Sequence, residues 1–333
     1  MKKLLIFSAF MISLVTLSVP AIAGTKFINV GTGSTGGTFY PVGVILATTF
    51  NSELAKDGYK FTAQSSGGSA ENLEMIREKE LKLAIAGSVL VSNAYQGLDR
   101  YKGQKIENVR FVTALWPEAI QLMYRVGSGI KSLKDFRGKR IAVGPAAGGG
   151  VFYLPSILKG VDNMSFDDFK PQYLGLGDSA QALQNRLIDA CYLAAGLPTS
   201  AVSQLYAGQL EVGMIEYTDA EVAAVQEVAP YFARIIIPNG TYPNQTRDLN
   251  SIGIKSSLVT EKEVDATVVY RMLEGLYIKN LAKVQSQHGV LKSLSVETAI
   301  QGLSGAPLHP GAVKFYREHG VKVPSALIPP EMK

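Results

Sequence analysis

Lys26-Phe27-Ile28-Asn29-Val30-Gly31-Thr32-Gly33-Ser34-Thr35-Gly36-Gly37-Thr38-Phe39-Tyr40-Pro41 reads as a strand that runs into a glycine loop and then into a helix. Lys26–Val30 supplies the strand, and a helical pattern follows from Tyr40 to Leu54, with Pro41 suited to a first turn. Val44, Ile45, Phe50 and Leu54 are predicted to form the buried side of that helix. The unit then recurs. Tyr59–Gln64 is a second strand, Ser65-Ser66-Gly67-Gly68-Ser69 its loop, and Ser69 a predicted N-cap for a helix over Ala70–Glu78. Leu81–Ala86 is a third strand, ending at Gly87-Ser88.

A second series lies downstream. Lys139–Val143 reads as a strand, followed by the loop Gly144–Gly150 and a helix through Leu158. Gln172–Leu176 is predicted as a strand leading into a helix through Leu187, and Ile188–Ala194 as a strand ending at Ala195-Gly196-Leu197-Pro198. Alternating strands and helices imply an α/β fold with mainly parallel sheets. In open sheets of that kind ligands bind beyond the carboxyl ends of the strands, where all these glycine loops lie. Two such units facing each other would enclose a cleft lined by loops and helix N-termini. Phe111–Val126 and Leu249–Ile254 read as extended crossovers, and the helical stretches Glu261–Leu281 and Val313–His319 as a return to the first unit. The predicted division is 24–115 with 250–333 as lobe I and 116–249 as lobe II.

The chain has 333 residues, 47% hydrophobic and 18% charged, which is too apolar for a disordered tail and long enough for two lobes. Met1-Lys2-Lys3, the apolar run Leu4–Val19 and Pro20-Ala21-Ile22-Ala23 form the pattern of a secretory signal peptide cut after Ala23. The expected compartment is a periplasm. Lys+Arg 33 against Asp+Glu 28 gives a net charge of +5, but loss of Lys2 and Lys3 leaves 31 against 28. So small a balance argues against a nucleic-acid partner or a polybasic membrane patch. Cys191, the only cysteine, sits in a strand-like run and reads as a small buried hydrophobe.

The motifs favour binding over catalysis. Gly31-x-Gly33-x-x-Gly36 matches a dinucleotide fingerprint, yet the second strand ends Ala63-Gln64-Ser65-Ser66 with no acid for a ribose. Read as a phosphate loop, it has Gly37 where the lysine belongs. What remains is a set of backbone N–H groups at a helix N-terminus, an anion site without a cationic side chain. Ser66–Ser69 and Gly148–Gly150 offer similar donors. The sequence has no G-x-S-x-G elbow, and its three histidines, His288, His309 and His319, lack the spacing of a zinc pair. They read as surface or helix-end residues. No enzyme activity, cofactor or metal is expected.

Ile28–Pro41 resembles the opening motif of the TAXI-type solute-binding proteins of TRAP transporters. Further segments agree in order: Ser66–Leu73, Trp116-Pro117-Glu118, Ser128–Arg140, Val143-Gly144-Pro145, Ala195–Thr199, Thr241-Tyr242-Pro243 and Pro307–Ala312. One departure is Val151, which stands where the family's third loop often carries Thr. The resemblance implies a periplasmic-binding-protein-like fold (type II), with two α/β lobes joined by a hinge and a ligand cleft between them. It also implies a monomer that captures a small carboxylate and delivers it to TRAP membrane subunits for cation-coupled uptake. Glutamate is the leading candidate, 2-oxoglutarate or another 2-oxo or dicarboxylic acid the alternative; a sensor or an enzyme on the same fold are the other readings. The expected ligand contacts are the backbone of Gly33, Gly36, Gly37 and Thr38 with the Thr38 hydroxyl, polar groups of Ser66, Ser69 and Asn72, and the loops holding Gly144, Gly148, Gly149, Ala195 and Gly196. Tyr40, Trp116 and Tyr242 would shape the pocket, with Ser88 and Gln121 as further candidates. Glu118 would either neutralise a ligand ammonium or act as a hinge salt bridge or solvated carboxylate.

Overall fold

A computed structural model describes residues 25–333; the signal-peptide reading of residues 1–23 lies outside them. The elements are β1 (Lys26–Gly31), α1 (Phe39–Leu54), β2 (Tyr59–Gln64), α2 (Ser69–Arg77), β3 (Leu83–Gly87), α3 (Ser88–Gln96) and β4 (Val109–Arg125). They continue with β5 (Arg140–Ala142), α4 (Gly150–Asp162), β6 (Lys170–Gln172), α5 (Leu176–Gln184), β7 (Ala190–Ala195), α6 (Ser200–Ala207) and β8 (Val212–Ile215). The chain ends with α7 (Asp219–Val228), β9 (Ala233–Ile237), β10 (Leu249–Glu261), α8 (Ala266–Glu274), α9 (Leu281–Gln287) and α10 (Pro310–Glu318). No helix among the described residues is long and apolar enough to cross a membrane.

The strands run in the order β2-β1-β3-β10-β4-β7-β5-β6, with β8 also on β4 and β9 also on β10. Parallel pairing joins β1 to β2 and β3, and β5 to β6 and β7. The two long strands, β4 and β10, are antiparallel to each other and exchange partners midway. On β10, Ser256–Thr260 pairs with β3 whereas Leu249–Gly253 pairs with β9. On β4, the pairing with β7 begins at Ala119. The exchange therefore falls at Glu118, opposite Ile254, beside a register shift between Lys255 and Ser257. Pro117 lacks an N–H for the ladder, and it sits next to this irregularity, where strands tolerate proline.

The cores follow the same division. One cluster joins α1, α2 and β1–β3 to the first half of β4, up to Trp116, and to the end of β10 with the helices after it. The second half of the fold has two clusters, one on each face of its sheet. Ile120 and Leu122 of β4 enter the first, with Tyr153, Ile157 and Val225. Ala119 and Met123, pointing the other way, enter the second with Leu183, Leu193 and Val202. Covered on both faces, its strand β7 (ACYLAA) is apolar throughout rather than alternating. Cys191 belongs to the second cluster, fully buried, and burial pushes its thiol well above the usual range.

Several sequence expectations need correction. Val44 is 42% exposed, because the buried stripe of α1 runs Val42, Ile45, Leu46, Thr49, Phe50. Ser69 is the first residue of α2, capped by Gly68 at φ 107°, and its hydroxyl instead accepts from the Gly87 N–H at 3.0 Å. The strand expected over Gln172–Leu176 is Lys170–Gln172, and Leu176 opens α5 after Gly175. The extended stretch Phe111–Val126 is the strand Val109–Arg125, and β10 runs to Glu261 where a helix was expected to begin. That helix starts after Asp265, whose carboxylate accepts from the Thr267 N–H at 2.7 Å. His309 is buried, capping α10 by accepting from the Gly311 N–H.

Asn72 ties the strand ends together. Fully buried, it donates to the carbonyls of Thr32 (2.7 Å) and Ile85 (2.9 Å), and its Oδ1 accepts from the Ser66 hydroxyl at 2.7 Å. Asn72→Ala removes the side-chain donor to Ile85 O and one of the two to Thr32 O, and is expected to destabilise by about 1–3 kcal/mol. Chemical denaturation checks this, as a lower midpoint with an unchanged slope.

Candidate functional site

Four helix N-termini meet at one cavity. Thr38 and Phe39 come from the start of α1, Gly67, Gly68 and Ser69 from α2, Gly148, Gly149 and Gly150 from α4, and Leu176 from α5. The first N–H groups of a helix have no partner inside it. Those of Thr38, Ser69 and Gly150 find no acceptor among the described residues. Each terminus carries roughly half a positive charge, so their fields add where they converge. Ser34, Gly33, Gly37, Gly144, Pro145, Ala194, Ala195 and the side chains of Glu118, Tyr153 and Tyr192 complete the wall. The volume is about 60 Å³, room for a few waters or part of a small solute.

The two halves of the fold touch around this cavity. The Ser34 hydroxyl accepts from the Leu176 N–H at 3.0 Å. Gly36 O accepts from the Ser200 hydroxyl at 2.9 Å and from the Ala201 N–H at 3.2 Å. Thr38 donates its hydroxyl to Gly196 O at 3.1 Å, and the Glu71 N–H donates to Ala147 O at 3.1 Å. These contacts require backbone to meet backbone. A Cβ on Gly36 would lie 2.5 Å from Gly177 N and 2.7 Å from its Cα, and one on Gly148 would lie 3.0 Å from Gly67 O. The cleft is closed.

Glu118, at the strand exchange, is 6% exposed. Its Oε1 has no hydrogen-bond partner, and no ion pair reaches it among the described residues. Burial alone pushes its carboxyl up to about 8. It is thus neither a hinge salt bridge nor a solvated group. The Tyr192 hydroxyl is also buried without a partner, and that of Tyr153 is buried at Gly87, beside the Leu90 N–H in the first turn of α3. Burial first, and then the nearby Glu118 charge, push both phenols well above their usual range. No Lys, Arg or His is among the wall residues, and no group of His, Cys, Asp or Glu that could hold a metal ion occurs among the described residues.

The structure gathers Gly33, Gly37, Thr38, Ser69, Glu118, Gly144, Gly148, Gly149 and Ala195 around the cavity. Gly36 and Gly196 lie at its edge, in the contact between the halves. The Thr38 hydroxyl, expected on a ligand carboxylate, is engaged with Gly196 O. Ser66 and Asn72 stand behind the loop, bonded to each other and to Thr32 O. Trp116 packs edge-on to Phe39, with centroids 5.9 Å apart, and lies under Gly196. Ser88 is buried beyond the wall, its hydroxyl unpartnered. Gln121 and Tyr242 sit within the second half, where the Tyr242 hydroxyl donates to Gln121 Oε1 and accepts from the Thr199 N–H. Tyr40 lines an outer groove with Thr35, Val44 and Pro198.

Sequence reasoning missed Ser34, Tyr153 and Tyr192. Tyr153 sits in the first turn of α4, three residues past Gly150, so its place on the glycine loop was readable once the helix start was known. Tyr192 alternates with Cys191 along β7 and faces the opposite side of the sheet. Gly149 and Gly150 admit these rings, since a Cβ on either would lie 3.0 Å from Tyr153 or Tyr192 ring atoms.

Two α/β halves, linked by two long strands and closed over a cavity at helix N-termini, have the architecture of periplasmic-binding-protein-like solute-binding proteins. The chain belongs to the NMT1-like family, whose profile matches residues 30–320. A binding protein component of an ABC phosphonate transporter from Pseudomonas aeruginosa has a similar fold at 15% identity, with 79% of each chain covered and a TM-score of 0.50. A Bordetella bronchiseptica protein matches at 15% identity over 90% of each chain, also with a TM-score of 0.50. The periplasmic aliphatic sulphonate binding protein of Escherichia coli matches at 15% identity over 89% of this chain and 84% of its own, with a TM-score of 0.43.

The raised Glu118 carboxyl has a consequence for stability. Below about pH 4.5 both the closed protein and the unfolded chain hold this proton; between there and about pH 8 only the closed protein does. The ligand-free closed state therefore loses stability as pH rises through this window, by on the order of a few kcal/mol. In Glu118→Gln this loss is expected to vanish. The difference in unfolding free energy between variant and parent should grow from pH 4.5 to 8 in denaturation series.

Proposed function

We propose that this protein is a periplasmic solute-binding protein whose two lobes close by a hinge at β4 and β10 around a small carboxylate. The observation that carries the reading is the convergence of four helix N-termini on one cavity whose wall holds no basic side chain. Backbone N–H groups at helix starts bind carboxylates without a neighbouring cation. The closed contacts of Gly36, Thr38 and Ser34 supply the second half of the reading, a cleft that seals over its occupant. The ordered motifs from Ile28–Pro41 to Pro307–Ala312 support delivery to a TRAP membrane subunit and glutamate as the solute. The phosphonate named for one structural relative is likewise a small acid, which accords with the anion-ready termini. Those relatives are named for ABC transporters or sulphonate binding, so the energy source of uptake is the point to test.

Calorimetry of the mature protein against small carboxylates, glutamate included, should show saturable one-site binding; absence of binding to every acid would remove the proposal. Reconstituted with its membrane subunits in vesicles, the protein should drive uptake under an imposed cation gradient without ATP. Uptake that requires ATP would remove the TRAP assignment while leaving the binding assignment intact. Gly36→Val places side-chain atoms where Gly177 approaches, so it should weaken binding of the same acid at least about ten-fold, or ~1.4 kcal/mol. Its ligand-free melting temperature should stay close to that of the parent.

A further inference from the structure

We infer that segment 195–201 is the latch of the cleft, and that Tyr242 and Gln121, which line no part of the cavity, are positioning residues that hold this latch in its closing shape. The inference rests on the reading of the two halves as lobes that close by a hinge, and it names what holds them shut. The segment presents one acceptor and two donors to the start of α1. The Gly196 carbonyl accepts from the Thr38 hydroxyl at 3.1 Å, while the Ser200 hydroxyl and the Ala201 N–H donate to Gly36 O at 2.9 and 3.2 Å. The same segment is seated on core residues of the first half. A Cβ on Gly196 would lie 2.6 Å from Trp116 ring atoms and would meet Val290, and one on Gly289 would lie 3.2 Å from Leu197 O.

Such a match requires Gly196 O, Ser200 and Ala201 to be fixed relative to one another. A circuit of hydrogen bonds behind the segment fixes them. The Thr199 N–H donates to the Tyr242 hydroxyl at 3.3 Å, and that hydroxyl donates to Gln121 Oε1. Gln121 Nε2 donates to the Thr199 hydroxyl at 3.5 Å, which donates to Gly196 O at 2.6 Å. Both hydroxyls accept and donate, and the bonds run in one direction, an arrangement in which neighbours polarise one another. Thr199, Tyr242 and Gln121 are all buried, so a partner removed here is not replaced by bulk water. The Gly196 oxygen is the junction: one lone pair serves Thr199 in its own half, the other serves Thr38 across the cleft. Gln121 stands on β4 three residues past Glu118, opposite Leu193 of β7, which ties the circuit to a strand that runs through the hinge.

The test is the rate at which a bound acid leaves, read by stopped flow. L-glutamate is the probe, with 2-oxoglutarate in its place if glutamate does not bind. Tyr242→Phe keeps a ring stacked on Tyr206, with centroids 5.6 Å apart, and removes only the hydroxyl. It should raise the dissociation rate about three-fold or more and leave the association rate within about two-fold, because encounter uses the open cleft. Thr38→Val removes the bond on the other side of the junction and should act in the same direction. The double variant should fall short of the product of the two effects, because both act through Gly196 O. An unchanged dissociation rate in Tyr242→Phe, or two effects that multiply as independent ones, overturns the inference while carboxylate capture stands. Thr199→Val carries this arm if Tyr242→Phe does not fold. Acrylamide quenching of Trp116, the chain's one tryptophan, reads the latch without a ligand, since Gly196 covers its ring. If neither acid binds, the solute reading fails separately and quenching decides the latch. Quenching at least about two-fold stronger in Tyr242→Phe than in the parent sustains it, and equal quenching overturns it.

Discussion

The closed structure depends on backbone meeting backbone across the cleft. Gly36 lies against Gly177 at a separation that no Cβ could occupy, and Gly148 approaches Gly67 almost as tightly. This approach brings the starts of α1 and α2 on one side to face those of α4 and α5 on the other. Without it the N-termini would point into water, where their partial charges are screened and a carboxylate gains little. The hydrogen bonds of Ser34, Thr38 and Ser200 register the two sides, but they are single bonds, each worth on the order of 1 kcal/mol. Closure held by a few such bonds is reversible, as capture and release of a solute require.

Against this positive surround stands one buried acid. Glu118 lies where β4 and β10 exchange partners, on the segment shared by both halves. In the closed cleft its ionised form has no partner, which favours either protonation or an occupant that brings a cation. The ligand-free closed state is thereby penalised near neutral pH.

Local pattern made much of the fold legible. β2 runs over Tyr59–Gln64 as its residues suggest, and β1 and α1 lie within a residue of their expected bounds, because glycine, Pro41 and apolar periodicity act over short range. The glycine loops were also readable as the site's raw material. What neighbours decide was not. Nothing local says that Gly36 faces Gly177 rather than a ligand, or that Asn72 and Ser66 spend their polar atoms on strand ends. The same holds for the Thr38 hydroxyl, which is engaged by a residue far along the chain. Gln121 and Tyr242 satisfy each other away from the cavity, a pairing fixed by tertiary contact. Tyr153 and Tyr192 carry no local signal of a site, because both rings pack in the core and reach the cavity only through the glycine loop between Gly144 and Gly150.

Small-angle X-ray scattering of the mature protein, recorded with and without a saturating acid shown to bind, tests most directly that the cleft closes over its solute. The account predicts a smaller radius of gyration with the acid present, matching the closed arrangement of residues 25–333, and a wider one when it is removed. An identical curve in both conditions, from protein shown to be free of ligand and then to bind it, would contradict closure as the means of capture.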